Sequence, residues 1–151
     1  MAVRVAINGF GRIGRLALRA AYEANRKDLE FVAINDLGSV EMNAMLLQHD
    51  SSHGPFPGKV KVTKTGINLG RGNIKVIAVR DPAKLPWGKM NIDVVLECTG
   101  IFTDADKAKV HLENGSSRVL VSAPSKGASK TIVFGVNDDT LTSEDLIVSN
   151  A

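Results

Sequence analysis

Three glycines and one aspartate near the start of the chain have the types and spacing to hold a phosphate-bearing dinucleotide. The run Gly9-Phe10-Gly11-Arg12-Ile13-Gly14 has the pattern G-x-G-x-x-G. In such a turn Gly9 permits the tight bend, Gly11 carries no side chain to keep a pyrophosphate off the backbone, and Gly14 lets helix and strand approach closely. The pattern alone is weak, because glycines at this spacing occur by chance, and its context is what gives it weight. It directly follows the apolar run Val3 to Asn8. It also opens a segment in which Ile13, Leu16, Ala17, Ala20, Ala21 and Ala24 recur at helical spacing. The free N–H groups and positive dipole end of that helix would then face the phosphates. Asp36 stands 22 positions after Gly14, at the end of a second apolar run, Leu29 to Asn35. A carboxylate there accepts hydrogen bonds from the adenosine ribose hydroxyls and repels the extra phosphate of NADP, so the predicted cofactor is NAD.

Other reactive side chains read as structural. Cys98 is the single cysteine, so the chain has no internal disulfide, and no lysine or arginine lies within five residues of it to activate a nucleophile. His49, His53 and His111 show no metal-ligand spacing, and no metal site is expected. His111 reads as a surface or packing residue, and Trp87, between Pro86 and Gly88, as a loop anchor over the sheet. Thr99-Gly100 follows a predicted strand, where ligands of parallel sheets bind, and this supports a ligand role for the pair.

The elements that must position these residues alternate. Strand Val3–Asn8, a helix over 11–25 and strand 29–35 open the chain. A helix over 41–49 follows, its Met42, Met45 and Leu46 stripe facing the core. The turn-rich segment 50–58 reads as an ordered loop, 59–64 as a half-exposed strand, and the glycines 66, 70 and 72 as marks of a small antiparallel insert before a strand over 75–79. Strand 93–98, a helix over 104–114 capped by Thr103 or Asp104, strands 118–122 and 130–136, a helical turn at 141–144 and a last apolar run 146–149 complete the pattern. The predicted fold is α/β: a Rossmann-type doubly wound, mostly parallel sheet with helices on both faces and a small antiparallel insert, one domain over 1–151. Hydrophobic residues at 44% and charged residues at 23% suit a globular domain. The net charge of +3 is scattered, with no like-charge run longer than two, which argues against nucleic acid or an anionic membrane as partner. With neither a signal-peptide pattern nor a long apolar stretch, the expected location is the cytoplasm.

Asn8-Gly-Phe-Gly-Arg-Ile-Gly-Arg15 resembles the opening of the glyceraldehyde-3-phosphate dehydrogenase family. The likeness continues through Ile34-Asn-Asp-Leu37, Asp50-Ser-Ser-His-Gly54, Arg80-Asp-Pro82, Glu97-Cys-Thr-Gly-Ile-Phe-Thr103, Ser122-Ala-Pro124, Val133-Phe-Gly-Val-Asn137 and Ser149-Asn-Ala151. The resemblance implies backbone contacts from Arg12 and Ile13 to the pyrophosphate, with Asn8 and Phe10 shaping the turn and Asp36 on the adenine ribose. It places Arg80 near the adenine, Thr99, Gly100 and Phe102 on the nicotinamide-ribose side, and Ser122 hydrogen-bonding nearby.

It also implies what this stretch does not carry. In the family Ser-Asn-Ala is followed by Ser-Cys-Thr-Thr-Asn, whose cysteine attacks the aldehyde, and a histidine further on serves as acid and base. The expectation is an excised NAD-binding domain without catalytic residues, inert by itself, from a homotetrameric enzyme. The substrates of that enzyme would be a small phosphorylated aldehyde and inorganic phosphate. A groove left open by a missing C-terminal helix would favour self-association of the fragment. Erythrose-4-phosphate dehydrogenases share fold and chemistry but carry Glu at the position of Asp36 and depart from Ser122-Ala-Pro124. The other rival is a stand-alone, non-enzymatic nucleotide-binding module.

Overall fold

The structure, a computed structural model, describes residues 1–151. In chain order its elements are β1 (Val3–Asn8), α1 (Arg12–Glu23), β2 (Leu29–Asn35), α2 (Val40–Gln48), β3 (His49–Asp50), β4 (Gly54–Pro55), β5 (Lys61–Val62), β6 (Gly66–Asn68), β7 (Asn73–Ile77), β8 (Val94–Glu97), α3 (Ala105–Ala108), α4 (Val110–Glu113), β9 (Arg118–Val121), β10 (Lys130–Thr131) and β11 (Ile147–Ser149). Nine strands form one sheet in the order β10-β11-β9-β8-β1-β2-β7-β6-β5. Every pair from β10 to β7 is parallel, and β6 and β5 add an antiparallel edge. Strands β3 and β4 form a separate small hairpin.

The apolar runs are continuous because the sheet is covered on both faces. Val5 and Ile7 of β1 pack with Leu18 of α1 and Ala44 and Leu47 of α2. Ala6, between them, points to the other face and packs with Ala33, Val95, Leu85, Trp87 and Ile92. On that second face Ala108 of α3 packs against Val119 and Val121 of β9, with Leu112 of α4 alongside. The doubly wound arrangement expected from the alternating elements is therefore present. A register shift between Val5 and Ala6 against β2 keeps the two faces matched along the strand pair.

Several local expectations need correction. Met42 and Met45 are exposed, and Leu46 is only half-buried. Helix α2 turns Asn43, Ala44 and Leu47 inward instead, because Asn43 reaches the turn at Asp36 and Gly38, and the methionines then fall on the outer side. The strand expected over 59–64 shrinks to two exposed residues, Lys61 and Val62, at the sheet edge, with nothing beyond to bury the valine. The strand expected over 75–79 runs instead from Asn73 to Ile77. The strand expected over 130–136 stops at Thr131, and Val133, Phe134 and Val136 are exposed in a turn that Asn137 and Asp138 close by accepting from backbone N–H groups. The helical turn falls at Asp138–Thr140, earlier than expected. The helix over 104–114 is divided into α3 and α4 at Lys109, whose backbone stays helical, and Asp104 occupies the N-cap position without a side-chain bond. His111 is wholly buried, which removes the surface reading and leaves the packing one.

Candidate functional site

The carboxyl ends of β8, β1 and β2 lie side by side, and the strand order reverses here, β2 and β7 lying to one side of β1 and β8 and β9 to the other. Such a switch point opens a crevice in a doubly wound sheet. An open cleft of about 520 Å³ sits there. Its floor runs from Asp36 after β2, past the glycine turn after β1, to Thr99 after β8.

The glycine turn is built as its three roles require. Gly9 has φ +89°, and a Cβ on it would lie 2.7 Å from the Thr99 backbone nitrogen. A Cβ on Gly14 would lie 2.3 Å from the Gly9 carbonyl oxygen, so this glycine is what lets α1 start against the turn. A Cβ on Gly11 would meet no protein atom within 4 Å, and Gly11 lines the cleft. The space beside it is where a ligand can touch backbone. Gly11 is also the N-cap of α1 and offers no side-chain bond to the first-turn N–H groups. The first turn has no acidic residue and begins at Arg12, a charge pattern that the helix dipole disfavours and that a bound anion would offset.

Asp36 is tied to both the turn and the loop behind it. Its Oδ2 accepts from the Phe10 N–H at 2.9 Å, and its Oδ1 accepts from the Gly38 N–H at 2.8 Å. The carboxylate thus caps the following turn, yet it also faces the cleft beside Leu37. Arg80, exposed in the segment after β7, lines the same space.

Of the residues singled out in the sequence, Asn8, Gly9, Gly11, Asp36, Arg80, Thr99 and Phe102 meet in the cleft wall. Phe10 does not. It is buried in the core, where it fixes the turn from beneath. Arg12 and Ile13 are exposed at the start of α1 and are not part of the cleft lining, and Arg12 Nη2 donates to Ser52 Oγ at 2.9 Å. Gly100 is exposed in the turn after β8, with φ +72°. Ser122 sits one strand further out, where its N–H and Oγ both bond to the Glu97 carbonyl.

Sequence reasoning missed Asn35, Val79, Pro82, Ile101 and Cys98 in the lining. Most are ordinary apolar or strand-end residues with no signal of their own. Burial pushes the Cys98 thiol up, despite a hydrogen bond from Ser122 that acts the other way. Glu97 was missed as well, although a carboxylate inside the apolar run Val94–Glu97 is a signal of its own, since an ionisable group at a buried strand end needs partners. Its partners are four. Oε1 accepts from the Thr99 N–H and hydroxyl, and Oε2 accepts from Asn8 Nδ2 at 2.7 Å and His111 Nε2 at 2.6 Å. No group of three or more potential metal ligands gathers anywhere in the structure. No helix is long and apolar enough to cross a membrane.

Comparison with known proteins agrees with this geometry. Residues 3–105 match the family described as the glyceraldehyde 3-phosphate dehydrogenase, NAD binding domain. The whole chain is 62% identical over 151 residues to the glyceraldehyde-3-phosphate dehydrogenases of Cereibacter sphaeroides and Xanthobacter flavus. It is 49% identical over 148 residues to the enzyme of that name from Thermotoga maritima, covering 98% of this chain and 44% of the relative. The chain spans 45% of the length of the first two relatives.

Proposed function

This chain belongs to the glyceraldehyde-3-phosphate dehydrogenase family, as its NAD-binding domain, and from that premise we propose that it is the cofactor platform of a phosphorylating, NAD-dependent aldehyde dehydrogenase. The whole protein would convert a small phosphorylated aldehyde and inorganic phosphate to an acyl phosphate, a glycolytic reaction. NAD, when bound, accepts the hydride. The observation that carries this reading is the pairing of Gly11 and Asp36 in one cleft, an open backbone approach at a helix N-terminus and a carboxylate at the end of the adjacent strand.

Each residue has a defined task in this reading. The N–H groups at the start of α1, including those of Arg12 and Ile13, bind pyrophosphate. Asp36 orients the adenine ribose and disfavours a 2′-phosphate. Arg80 offers a planar guanidinium to the adenine. Thr99, Gly100 and Phe102 border the nicotinamide half, with Ser122 behind them. Asn8 and Phe10 hold the turn, and Gly9 and Gly14 let it form.

The 151 residues bind cofactor and do not perform the aldehyde chemistry by themselves. The only thiol, Cys98, is pushed up by burial, the opposite of what a nucleophile needs. His111, the histidine nearest the cleft floor, is engaged by Glu97 and Trp87. The exposed Val133, Phe134 and Val136 support association, with the rest of a homotetrameric parent or, in the isolated chain, with itself. A free, unpaired cysteine suits the cytoplasm. Asp36 and Ser122-Ala-Pro124 favour this reading over an erythrose-4-phosphate enzyme.

Calorimetric titration with NAD and NADP tests it. The expected result is saturable NAD binding with NADP weaker by about tenfold or more. Equal affinity, or NADP preference, would refute the role given to Asp36.

A further inference from the structure

Strand β7 ends at Ile77, and the last rung of its parallel ladder with β2 pairs Ile77 with Asn35. Beyond that rung the Asn35 side chain continues the pairing. Its Oδ1 accepts from the Val79 N–H at 2.8 Å, and its Nδ2 donates to the Val79 carbonyl at 2.9 Å. One carboxamide thus satisfies both backbone groups of one residue, the two bonds that a neighbouring strand would otherwise supply. The same Nδ2 donates its other hydrogen to Asn8 Oδ1 at 2.8 Å. Asn8 is held in turn, because its own Nδ2 donates at 2.7 Å to the buried Glu97 carboxylate, which only accepts.

This clamp holds one wall of the cleft. Val79, Arg80 and Pro82 line it, and Arg80 is the only cation among the lining residues. Asp36, the only anion there, is tied down by the Phe10 and Gly38 N–H groups. The Arg80 guanidinium, by contrast, takes part in none of the chain's ion pairs. Its place is therefore set through its backbone. That backbone runs from the clamp at Val79 into a short turn, Pro82–Lys84, which Asp81 caps by accepting from the Ala83 N–H. Asn114 Nδ2, donating to the Pro82 carbonyl, anchors this turn independently of Asn35.

We propose that Asn35 is a positioning residue for the cofactor: its side chain carries the β2–β7 pairing past the end of β7 and so presents Arg80 to the bound dinucleotide. The proposal rests on the NAD reading of the cleft.

A double-mutant cycle on NAD affinity tests it in the full chain. Asn35→Ala removes the clamp without adding charge. Asn35 lines the cleft, so water replaces the bonds to Val79 and Asn8, while the turn beyond keeps its own anchors. Residues 79 and 80 gain freedom, and ordering them again on binding lowers NAD affinity by about tenfold. Arg80→Ala alone also lowers it by about tenfold. Asn35→Ala added to Arg80→Ala costs less than about twofold more, because the side chain it positions is gone. A merely structural role, or a direct contact of Asn35 with the ligand, would lower affinity by the same factor in both backgrounds. Equal factors, or no loss in either single variant, overturn the proposal. Wild-type protein that does not bind NAD refutes the NAD reading instead. The Val79 amide of wild-type protein gives a second test that needs no variant. It lies beyond the end of β7, yet its hydrogen exchange should be as slow as that of the β7 amides, and exchange at the rate of an open loop overturns the clamp.

Discussion

The Phe10 backbone N–H donates to Asp36 Oδ2 at 2.9 Å, so the residue placed to select the cofactor also holds the phosphate-binding turn in shape. These tasks are separable, because the turn needs an acceptor whereas discrimination against a 2′-phosphate needs a negative charge. Asp36→Asn keeps one carboxamide oxygen and loses the charge. With Phe10 and Gly38 donating to different oxygens, one of the two meets an NH2 group. The expected outcome is a loss of about 1–3 kcal/mol in stability together with a collapse of the NAD-over-NADP preference. Thermal unfolding and paired calorimetric titrations check both halves. A variant that keeps the full preference would show that charge at position 36 is not the selector.

Gly11 and Gly14 lie three residues apart in one motif and should fail in different ways. Gly14→Ala drives a Cβ into the Gly9 carbonyl, with backbone on both sides of the clash. The helix must move off the turn, at a cost of about 3 kcal/mol, and unfolding temperature drops with or without nucleotide. Gly11→Ala meets no protein atom and has an ordinary φ of −72°, so stability changes by about 1 kcal/mol or less. NAD affinity nevertheless falls by about tenfold or more, since the methyl group fills the space left for pyrophosphate. Unchanged NAD affinity in Gly11→Ala would mean that the ligand does not pass over this residue.

The reach of the sequence can be judged from such residues. The glycine turn, Asp36 and Thr99-Gly100 were legible because each combines a residue type with a place at a strand end, and the alternating apolar runs dictated a two-faced sheet. Methionines 42 and 45 misled because a short helix with apolar residues on several sides does not reveal which side is turned inward. That choice belongs to Asn43 and its partner Asp36 in the turn before the helix. The strand read through Val136 failed for a similar reason, since β-branched residues form strands only where a neighbour strand supplies hydrogen bonds, and the last of these is from the Ile132 N–H to the Ser149 carbonyl. The partners of Glu97 were illegible because Asn8 and His111 are distant from it in sequence, and only the register of β1 beside β8 and the packing of α4 on the sheet bring them together.

Cys98 should react slowly. Burial holds its thiol above the usual range, so little thiolate is present near neutral pH, and the rate should climb only at more alkaline pH than for a free cysteine. Cys98 also lines the cleft. Alkylation with iodoacetamide across pH, followed by mass spectrometry, is expected to show this delayed rise and a further slowing by saturating NAD. Rapid modification at neutral pH, indifferent to NAD, would contradict both the burial and the location.

Asp50 makes the loop before β4 sensitive to acid. The His53 N–H, foremost, with the His53 ring and the Ser52 N–H, hold its carboxyl down from 3.8 to about 2. A carboxyl whose folded pKa is depressed stabilises the fold above its unfolded pKa, and that contribution is lost as pH falls from about 4 toward about 2. Exchange of the Ser52 and His53 amides should therefore quicken through this window before the sheet unfolds. Asp50→Asn should remove the pH dependence, and an identical acid profile in that variant would assign the transition to another group.

Arg19 anchors the same loop from the opposite side. It is buried on α1, where Nη1 donates to the Gly54 carbonyl at 2.6 Å and Nη2 to the carbonyls of His53 and Pro55 at 3.0 and 3.1 Å. Its Nε meets Glu23 one turn along the helix. The fan of planar donors suits a guanidinium, which can reach three carbonyls and a carboxylate from one stem. An ammonium offers three donors from a single point and cannot span them. Arg19→Lys should thus be costly despite keeping the charge, with a loss of about 2–3 kcal/mol and faster proteolysis within 50–58. Because Ser52 of this loop also bonds to Arg12 at the mouth of the phosphate site, NAD should protect the loop in wild-type protein. That protection should weaken in the lysine variant. Limited proteolysis with and without NAD decides the matter: equal cleavage of wild type and Arg19→Lys would mean that the loop is held by Asp50 alone.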